Sequence, residues 1–266
     1  MLAGKAAPVQ PRDAATVMVL RQLPGTPDGG RLQVYMLRRP ATMKFAPGAY
    51  VFPGGSVDSA DAGADLGWAG PGPAEWGQAL GAPPALAQAL VCAAVRETFE
   101  ECGVLLAGPD AGSVVAGTAD GGWADDRRAL LAGRISLAGL LRQRGLVLRS
   151  DLLRPWSRWI TPPSEERRYD TRFFAAALPP GQEAQGVGHE ADEAAWVEPG
   201  EALAAAARGD SYLLPPTAVT LAELARCESV AAALAAPRAI RPLMPEAGVT
   251  GDTLCLRLPD GVEYPL

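Results

Sequence analysis

The sequence predicts a single α/β domain that carries helical and loop insertions. Short β-branched runs alternate along the chain with longer helix-forming segments, and we find no internal repeat or interdomain linker. The 266 residues are 48% apolar and 20% charged, so the chain can bury a sizeable core and is neither disordered nor fibrous. Its 30 glycines and 25 prolines indicate many turns and loops between the elements.

The first elements are three short strands. Residues 15–20 and 32–37 are runs of β-branched and other apolar residues joined by a Gly- and Pro-rich turn, which predicts a strand pair. Residues 49–52 are predicted to form a third strand that ends at Pro53-Gly54-Gly55. The stretch that follows, to about residue 84, is rich in Gly, Ala, Pro and Asp and has little periodicity. It predicts an inserted loop or a loosely helical excursion.

A helix is predicted over residues 85–102. Pro83 and Pro84 suit its first turn, its apolar residues recur at helical spacing, and Gly103 ends it. The remaining elements are predicted from similar patterns. They are helices within 124–153, strands at 171–178 and 194–197, and helices at about 200–208 and 216–236.

The charge balance and the cysteines exclude several classes of protein. The 24 basic and 30 acidic residues leave a net charge of −6, which offers no basic surface for nucleic acid. Gly, Pro or a charge interrupts each apolar run before it reaches membrane-spanning length, and the N-terminal stretch lacks the apolar core of a signal peptide. The four cysteines form no CxxC pair and His189 is the only histidine, so neither a zinc site nor a disulfide framework is expected. We therefore expect a reducing, cytoplasmic setting without nucleic-acid or membrane partners.

Three carboxylates stand together at the end of the predicted helix. Glu97, Glu100 and Glu101 are spaced i, i+3 and i+4, so they share one helix face. Each like-charge pair costs about 0.2–0.5 kcal/mol on a bare helix, and the negative end of the helix dipole disfavours these acids further. A hard divalent cation such as Mg²⁺ reverses both penalties. The alternative for such a triplet is a solvated acidic face.

The segment Arg96-Glu97-x-x-Glu100-Glu101-x-Gly103-Val104 resembles the second half of the Nudix box. Phe52-Pro53-Gly54-Gly55 resembles the strand and glycine turn that open the same box. The resemblance implies an α/β/α Nudix sandwich with a mixed sheet over residues 15–225, with insertions at about 56–82 and 108–155. It leaves residues 226–266 as a C-terminal extension packed on this domain.

Carried over residue by residue, the resemblance implies a magnesium or manganese centre. Glu97, Glu100 and Glu101 would bind the Mg²⁺ or Mn²⁺ ion, and Arg96 would orient one of these carboxylates by a bidentate contact. The carbonyl group of Gly54 or Gly55 would complete the metal shell. A tight backbone turn alone is the alternative explanation for the two glycines.

The chain departs from the Nudix box in two ways. A long insertion separates Gly55 from Arg96, and Gln88 occupies the position at which the box has its first Glu. We expect the inserted residues to loop away from the metal site. Asp58 and Asp61, which follow Gly55 closely, are the candidates to replace the missing carboxylate.

A second resemblance lies just upstream. Arg39, Gly48 and Phe52-Pro53-Gly54-Gly55 match the spacing of the coenzyme A signature of Nudix CoA diphosphatases. Lys44 stands where this signature has a second Arg, which keeps the charge but loses the planar guanidinium fork. The resemblance implies that Arg39 and Lys44 bind phosphate groups of coenzyme A. A Gly-rich loop with incidental basic residues is the alternative.

The stretch from residue 155 to residue 174 contains two tryptophans and several arginines. It resembles the subgroup that includes the peroxisomal CoA diphosphatase of animals. Trp156 and Trp159 would offer aromatic faces for adenine, and Arg167 and Arg168 would offer guanidinium groups for phosphate. Core packing of the tryptophans and a solvated arginine face are the alternatives.

An acidic loop precedes the strand predicted at 194–197. The Nudix family often draws an extra metal ligand or base from this position. We favour Glu193 or Glu190 for this role. The alternative for His189 is that it is simply a histidine of a surface loop.

Together these features predict a metal-dependent Nudix diphosphatase. Its substrate would be a small-molecule nucleoside diphosphate linked to another group, with CoA or acyl-CoA preferred. The products would then be adenosine 3′,5′-bisphosphate and 4′-phosphopantetheine or its acylated form. A nucleotide-sugar or dinucleotide diphosphatase is one alternative, and a non-catalytic nucleotide-binding sensor, favoured by Gln88, is another. The sequence leaves the oligomeric state open between a monomer and a homodimer.

Overall fold

The computed structural model describes residues 9–24, 31–42, 46–63, 65–120, 122–186, 193–250, 253–258, 261 and 263–265. Its strands in chain order are β1 (Arg12–Gln22), β2 (Leu32–Arg38), β3 (Ala49–Val51), β4 (Gly54–Ser56), β5 (Trp68–Ala69), β6 (Ala107–Gly108), β7 (Val147–Arg149), β8 (Arg154–Ile160), β9 (Tyr169–Ala177), β10 (Glu193–Val197), β11 (Tyr212–Leu213), β12 (Pro242–Leu243), β13 (Glu246–Thr250), β14 (Thr253–Arg257) and β15 (Glu263–Pro265). Its α-helices are α1 (Pro73–Leu80), α2 (Pro84–Cys102), α3 (Trp123–Leu131), α4 (Leu137–Arg144), α5 (Pro199–Ala207), α6 (Pro215–Leu224) and α7 (Val230–Ala235).

A mixed sheet forms the middle layer of the molecule. Within the ranges given above it has nine strands in the order β11-β3-β2-β1-β9-β8-β12, and β10 and β4 pair with β2 and β1. Strand β1 runs parallel to β9 but antiparallel to β2 and β4. The predicted mixed sheet is therefore confirmed.

Helices cover both faces of this sheet because the central strand β1 is apolar on both sides. Successive side chains of a strand point to opposite faces. Val17 and Val19 accordingly pack in the core formed with α1 and α2, whereas Met18 and Leu20 pack in the core formed with α6 and α7. All four are fully buried, and the α/β/α sandwich predicted from the sequence is confirmed.

Helix α2 carries the acidic triplet and begins one residue earlier than predicted. Pro84 occupies its first turn, where proline is tolerated because backbone N–H groups there have no acceptor within the helix. Its end is set by Gly103, which adopts a left-handed conformation with a φ of 71° and donates its N–H to the carbonyl of Phe99 at 2.9 Å. The last two turns of the helix pack against β4.

The residues inserted between Gly55 and α2 pack into the core. Helix α1 buries Trp76 and Leu80, and the Trp76 ring packs edge to face on Phe174 of β9 with ring centroids 5.7 Å apart. Strand β5 of this insertion also pairs with β7 of the second insertion. The expectation that the inserted residues loop away from the metal site was wrong, because Asp61 of this insertion binds Arg96 of α2, and Trp76 and Leu80 complete the core on the α2 side of the sheet.

Two predictions for the C-terminal half need correction. Residues 154–160, which were not predicted as a strand, form β8, with a register irregularity between Pro155 and Ser157. The helix predicted at 216–236 is two helices, α6 and α7. The side chain of Ser229 accepts a hydrogen bond from the N–H of Ala232 at 3.1 Å and so begins a new helix. Helix α4 lies within the predicted helical range 124–153, and α3 begins one residue before it.

The C-terminal residues contribute to the domain in two ways. Strand β12 pairs in parallel with β8 and extends the main sheet, while β13, β14 and β15 form a separate antiparallel sheet. Among the helices that the structure describes, none is by itself long and apolar enough to span a membrane, and only α1 and α2 together, bent by 91°, have the required length and composition.

We predict that Trp76→Ala destabilises the protein by about 3–5 kcal/mol, because it removes a buried aromatic ring from the contact between α1 and β9. Urea denaturation followed by circular dichroism measures the change. Val9→Ala, at an exposed position, is the control and should stay within about 0.5 kcal/mol of the wild type. An equal unfolding midpoint for Trp76→Ala and the control would show that α1 is not part of the core.

Candidate active site

The guanidinium group of Arg96 organises the acidic end of α2. Its Nη1 donates to Glu97 Oε1 and to Glu100 Oε2, each at 2.8 Å, and its Nη2 donates to the carbonyl of Ser56 at 3.0 Å. Its Nε and Nη2 also bind the two carboxylate oxygens of Asp61 at 3.1 and 2.9 Å. The bidentate contact of Arg96 is therefore made with Asp61, and the contacts with Glu97 and Glu100 are single.

Asp61, one of the two candidates to replace the carboxylate missing at Gln88, lies against Arg96. Its side chain is 1% exposed and faces Arg96, whose side chain is 12% exposed. The same carboxylate accepts the N–H of Asp58 at 2.9 Å, so the turn that presents it is fixed. Of the two candidate replacements, the structure assigns the contact with Arg96 to Asp61, whereas Asp58 accepts the N–H of Ala60 at 2.7 Å within the turn.

Negative charge exceeds positive charge in this cluster. The pKa of Glu97 is raised to about 7, chiefly by burial and also by the charges of Glu100 and Asp61, against the opposing effect of Arg96. One guanidinium group thus faces three carboxylates. A bound cation would relieve this excess of buried negative charge.

The two glycines of β4 let the backbone approach α2 closely. The N–H of Gly54 donates to Glu101 Oε2 at 2.7 Å. A Cβ atom at position 55 would clash with the carboxylate of Glu97, and one at position 54 would clash with the backbone of β1. Position 54 requires glycine because rigid backbone lies against it, and a larger residue at position 55 would displace the carboxylate of Glu97.

The chemistry of the donor set fits a hard divalent cation. Glu97, Glu100 and Glu101 offer carboxylate oxygens, which Mg²⁺ and Mn²⁺ prefer, beside a strand whose glycines leave room against Glu97. In this arrangement no three His, Cys, Asp or Glu side chains of the described residues converge on one point. The reason is that Arg96 engages Glu97 and Glu100 while Glu101 accepts from Gly54.

A cavity of about 680 Å³ opens beside Glu101 and Gly54. Thr16 of β1 and Phe173 of β9 form part of its floor. One side, which we call the β3 side, is lined by Arg39, Ala46, Pro47, Val51 and Tyr212. The other side, which we call the β8 side, is lined by Trp159, Ile160, Thr161, Pro162, Glu165, Tyr169 and Pro245.

Of the four basic residues predicted to bind substrate, the structure places one, Arg39, in the cavity. Arg39 lines the cavity, and Lys44 lies outside the described residues. Arg167 is exposed. Arg168 is 9% exposed, and its guanidinium group donates to the carbonyls of Thr161 and Val9 at 3.0 and 2.7 Å. It holds the turn between β8 and β9, which gives it a structural role.

The two tryptophans of β8 also differ. Trp156 is buried and donates its Nε1 to Glu223 of α6 at 2.7 Å, so it belongs to the core. Trp159 is 4% exposed, yet it contributes to the wall of the cavity. Of the aromatic faces expected for adenine, the structure therefore brings one, that of Trp159, to the site.

Glu193 lies on β10 and is engaged by residues of neighbouring strands. It accepts a hydrogen bond from the hydroxyl of Tyr50 at 2.8 Å, and its carboxylate is 3.9 Å from Arg38 Nη1. These contacts do not bring it to the carboxylates of α2, so its proposed role as a metal ligand stays a prediction. Glu190 and His189 lie outside the described residues.

Sequence reasoning missed several residues of the cavity. Thr16 interrupts the apolar run of β1, and Tyr169, Thr171 and Phe173 alternate along β9 so that they face the same side. That two-residue alternation was the signal available in the sequence. Pro245 gave no signal, because only the pairing of β12 with β8 brings it to the site.

We predict that Asp61→Ala destabilises the protein by about 1.5–3 kcal/mol, because Arg96 loses two charged hydrogen bonds in a buried position but keeps Glu97 and Glu100. Urea denaturation measures the loss. Asp58→Asn is the matched control: it keeps an acceptor for the turn, and should change stability by about 0.5 kcal/mol or less. Equal urea midpoints for the two variants would show that the Arg96–Asp61 ion pair does not contribute this free energy of unfolding.

Comparison with known proteins gives one family. Residues 74–226, more than half of the chain, match the model of the NUDT19 Nudix domain. The acyl-coenzyme A diphosphatase NUDT19 of Gallus gallus is 29% identical over 268 residues, which cover 82% of this chain and 69% of that protein. The protein of the same name in Homo sapiens is 31% identical over 245 residues, which cover 77% of this chain and 63% of that protein. This chain thus spans less than two thirds of the length of the human relative.

A solved structure resembles the fold described here. The crystal structure of a Nudix hydrolase from Alicyclobacillus acidocaldarius superposes with a TM-score of 0.69 and is 29% identical, and the match covers 86% of this chain and 98% of that one.

Proposed function

This chain belongs to the Nudix family, and on that premise we propose that it is a metal-dependent diphosphatase that cleaves coenzyme A or acyl-CoA. The observation that carries the proposal is the position of Glu101. It accepts the N–H of Gly54 and lines the cavity that also contains Arg39, next to the buried cluster of Arg96, Asp61, Glu97 and Glu100. A cavity for a small molecule is therefore joined to a set of carboxylates suited to a divalent cation.

The residues of the cluster would divide the work of binding and orientation. Glu97, Glu100 and Glu101 would hold Mg²⁺ or Mn²⁺, and the bound ion would neutralise the diphosphate and lower the pKa of a water molecule. Arg96 fixes the side chains of Glu97 and Glu100, and Asp61 fixes Arg96. The N–H of Gly54 orients the carboxylate of Glu101. A carboxylate of this cluster would accept the proton of the attacking water.

Three observations support coenzyme A as the substrate. Arg39 lines the cavity, at the position that resembles the first basic residue of the coenzyme A signature. Most of the cavity wall is apolar, which suits the pantetheine arm of CoA better than a second sugar or nucleotide. Two relatives that match more than three quarters of this chain are named acyl-coenzyme A diphosphatases. Cleavage of the central anhydride would release adenosine 3′,5′-bisphosphate and 4′-phosphopantetheine or its acylated form.

The position of Asp61 supports turnover over a sensor role. The sensor alternative rested on Gln88, which removes a carboxylate from the box. Asp61 restores a carboxylate to Arg96 with two hydrogen bonds. The free thiols of the four cysteines are consistent with our further proposal that the protein works in a reducing compartment such as the cytoplasm.

We predict that Glu101→Gln lowers kcat for CoA at least about 10²-fold, because one ligand of the proposed ion and its negative charge are lost while the shape of the side chain is kept. Product release is measured by chromatography at saturating Mg²⁺. Glu201→Gln, on the exposed side of α5, is the control and should keep wild-type turnover. Wild-type turnover by Glu101→Gln, or hydrolysis that survives exhaustive chelation of metal, would overturn the proposal.

We predict that Arg39→Ala lowers kcat/KM for CoA by about tenfold or more, because a charged hydrogen bond to a phosphate contributes about 1.5–3 kcal/mol. The loss should be much smaller for dephospho-CoA, which lacks the 3′-phosphate. The matched control is Arg208→Ala, an exposed arginine paired with Asp210, which should leave both substrates unaffected. Equal losses on the two substrates would indicate a general diphosphate hydrolase.

A further inference from the structure

The β8 side of the cavity is closed by a segment that lies outside the matched family region. That region ends at residue 226, whereas Pro245 lines the cavity. Strand β12 pairs in parallel with β8, with Pro242 opposite Arg158 and Leu243 opposite Trp159. The chain therefore reaches Pro245 directly after it has added an edge strand to the main sheet.

Side-chain contacts hold this segment in place at both ends. Before β12, the guanidinium carbon of Arg238 lies 3.2 Å from the centroid of the Trp156 ring, and its Nη1 donates to Glu223 at 2.7 Å. After β12, the Sδ atom of Met244 lies 4.0 Å from Nη2 of Arg168, the arginine that also holds the turn between β8 and β9. The segment is thus a fixed part of the cavity wall.

The β8 side differs chemically from the β3 side. Among the described residues that line the cavity, Arg39 is the one basic side chain, and it lies on the β3 side. The β8 side offers Trp159, Ile160 and the ring of Pro245, and its one charged group is the carboxylate of Glu165, which repels phosphate. The phosphorylated nucleotide end of a substrate is therefore favoured on the β3 side and an apolar group on the β8 side. This division assigns Trp159 to the apolar group instead of to adenine, for which the sequence proposed it.

The dimensions of the sheet agree with this division. Four inter-strand steps, from β4 through β1, β9 and β8 to β12, separate Gly54 from the wall segment, or roughly 19 Å. The pantetheine arm of CoA has about 12 bonds from its phosphate oxygen to its sulfur and extends to roughly 14 Å at about 1.2 Å a bond. With the diphosphate beside Glu101, the sulfur would end a few bonds short of β12.

We propose that residues 242–245 form the wall of an acyl subsite and determine the selectivity of the enzyme for the acyl group. The proposal rests on the proposed function, because it assumes that the diphosphate of CoA binds beside Glu101. The acyl chain would pack against Trp159, Ile160 and Pro245, and its terminal carbons would meet the C-terminal segment.

The wild-type protein provides the first test. KM is measured with Mg²⁺ for free CoA and for acetyl-, butanoyl-, hexanoyl- and octanoyl-CoA. We expect KM to fall by about threefold to fourfold for each methylene that becomes buried, until the subsite is full. A KM that does not change from acetyl-CoA to octanoyl-CoA would overturn the proposal.

The variant Pro245→Trp provides the second test, because it fills the subsite from its far wall. We expect the ratio of kcat/KM for octanoyl-CoA to that for CoA to fall about tenfold or more. Pro47→Trp, the matched control on the β3 side, should lower kcat/KM for both substrates and leave their ratio unchanged. A ratio that falls equally in the two variants would contradict the assignment of the acyl group to the β8 side. If Pro245→Trp does not fold, the wild-type series decides alone.

The two levels of the proposal fail in different ways. Absence of cleavage of every CoA species at saturating Mg²⁺ would refute the proposed function and the acyl subsite with it. Cleavage of CoA and acyl-CoA with a KM that ignores chain length would refute the acyl subsite and leave the diphosphatase function standing.

Discussion

The guanidinium group of Arg96 joins three parts of the chain that are far apart in sequence. It binds Asp61 from the first insertion, the carbonyl of Ser56 from β4, and Glu97 and Glu100 from its own helix. A buried carboxylate without a partner would be strongly destabilising. The positive charge of the Arg96 guanidinium group is therefore what allows Asp61, Glu97 and Glu100 to lie close together. The geometry of the candidate active site and the packing of the insertion therefore depend on one side chain.

The second requirement of the site is the absence of side chains on β4. Because positions 54 and 55 are glycines, the backbone of β4 lies against α2, and the N–H of Gly54 reaches Glu101. The acid that lines the cavity is thereby oriented by the backbone of the sheet, whereas the acids behind it are oriented by Arg96. Strand and helix fix the carboxylates from two directions, and the sandwich holds strand and helix together.

Much of this could be predicted from local patterns. The limits of α2 follow from Pro84 and Gly103, whose backbone preferences act within one turn, and the shared face of Glu97, Glu100 and Glu101 follows from helical spacing. Asp61 could only be named as a candidate, since its distance from Arg96 depends on how the insertion folds. Trp76 was missed because its surroundings, rich in Gly and Pro, hide a short helix whose apolar face is defined only by the core it enters. Strand β8 was missed because Pro155 and its charged residues weaken the β pattern, and its neighbours β9 and β12 supply the pairing that stabilises it.

The parallel pair at the centre of the sheet determines when the protein can fold. Arg12 pairs with Tyr169 and Leu20 pairs with Ala177, so β1 finds its central neighbour only after residues 23–168 have been made. At about 5–20 residues per second, β1 waits roughly 8–30 s during synthesis with Val17, Met18 and Val19 unpaired on that edge. An apolar strand that waits with an open edge is prone to pair with other chains. The edge of β1 is therefore the place at which unfinished chains would associate with one another until β9 has been made.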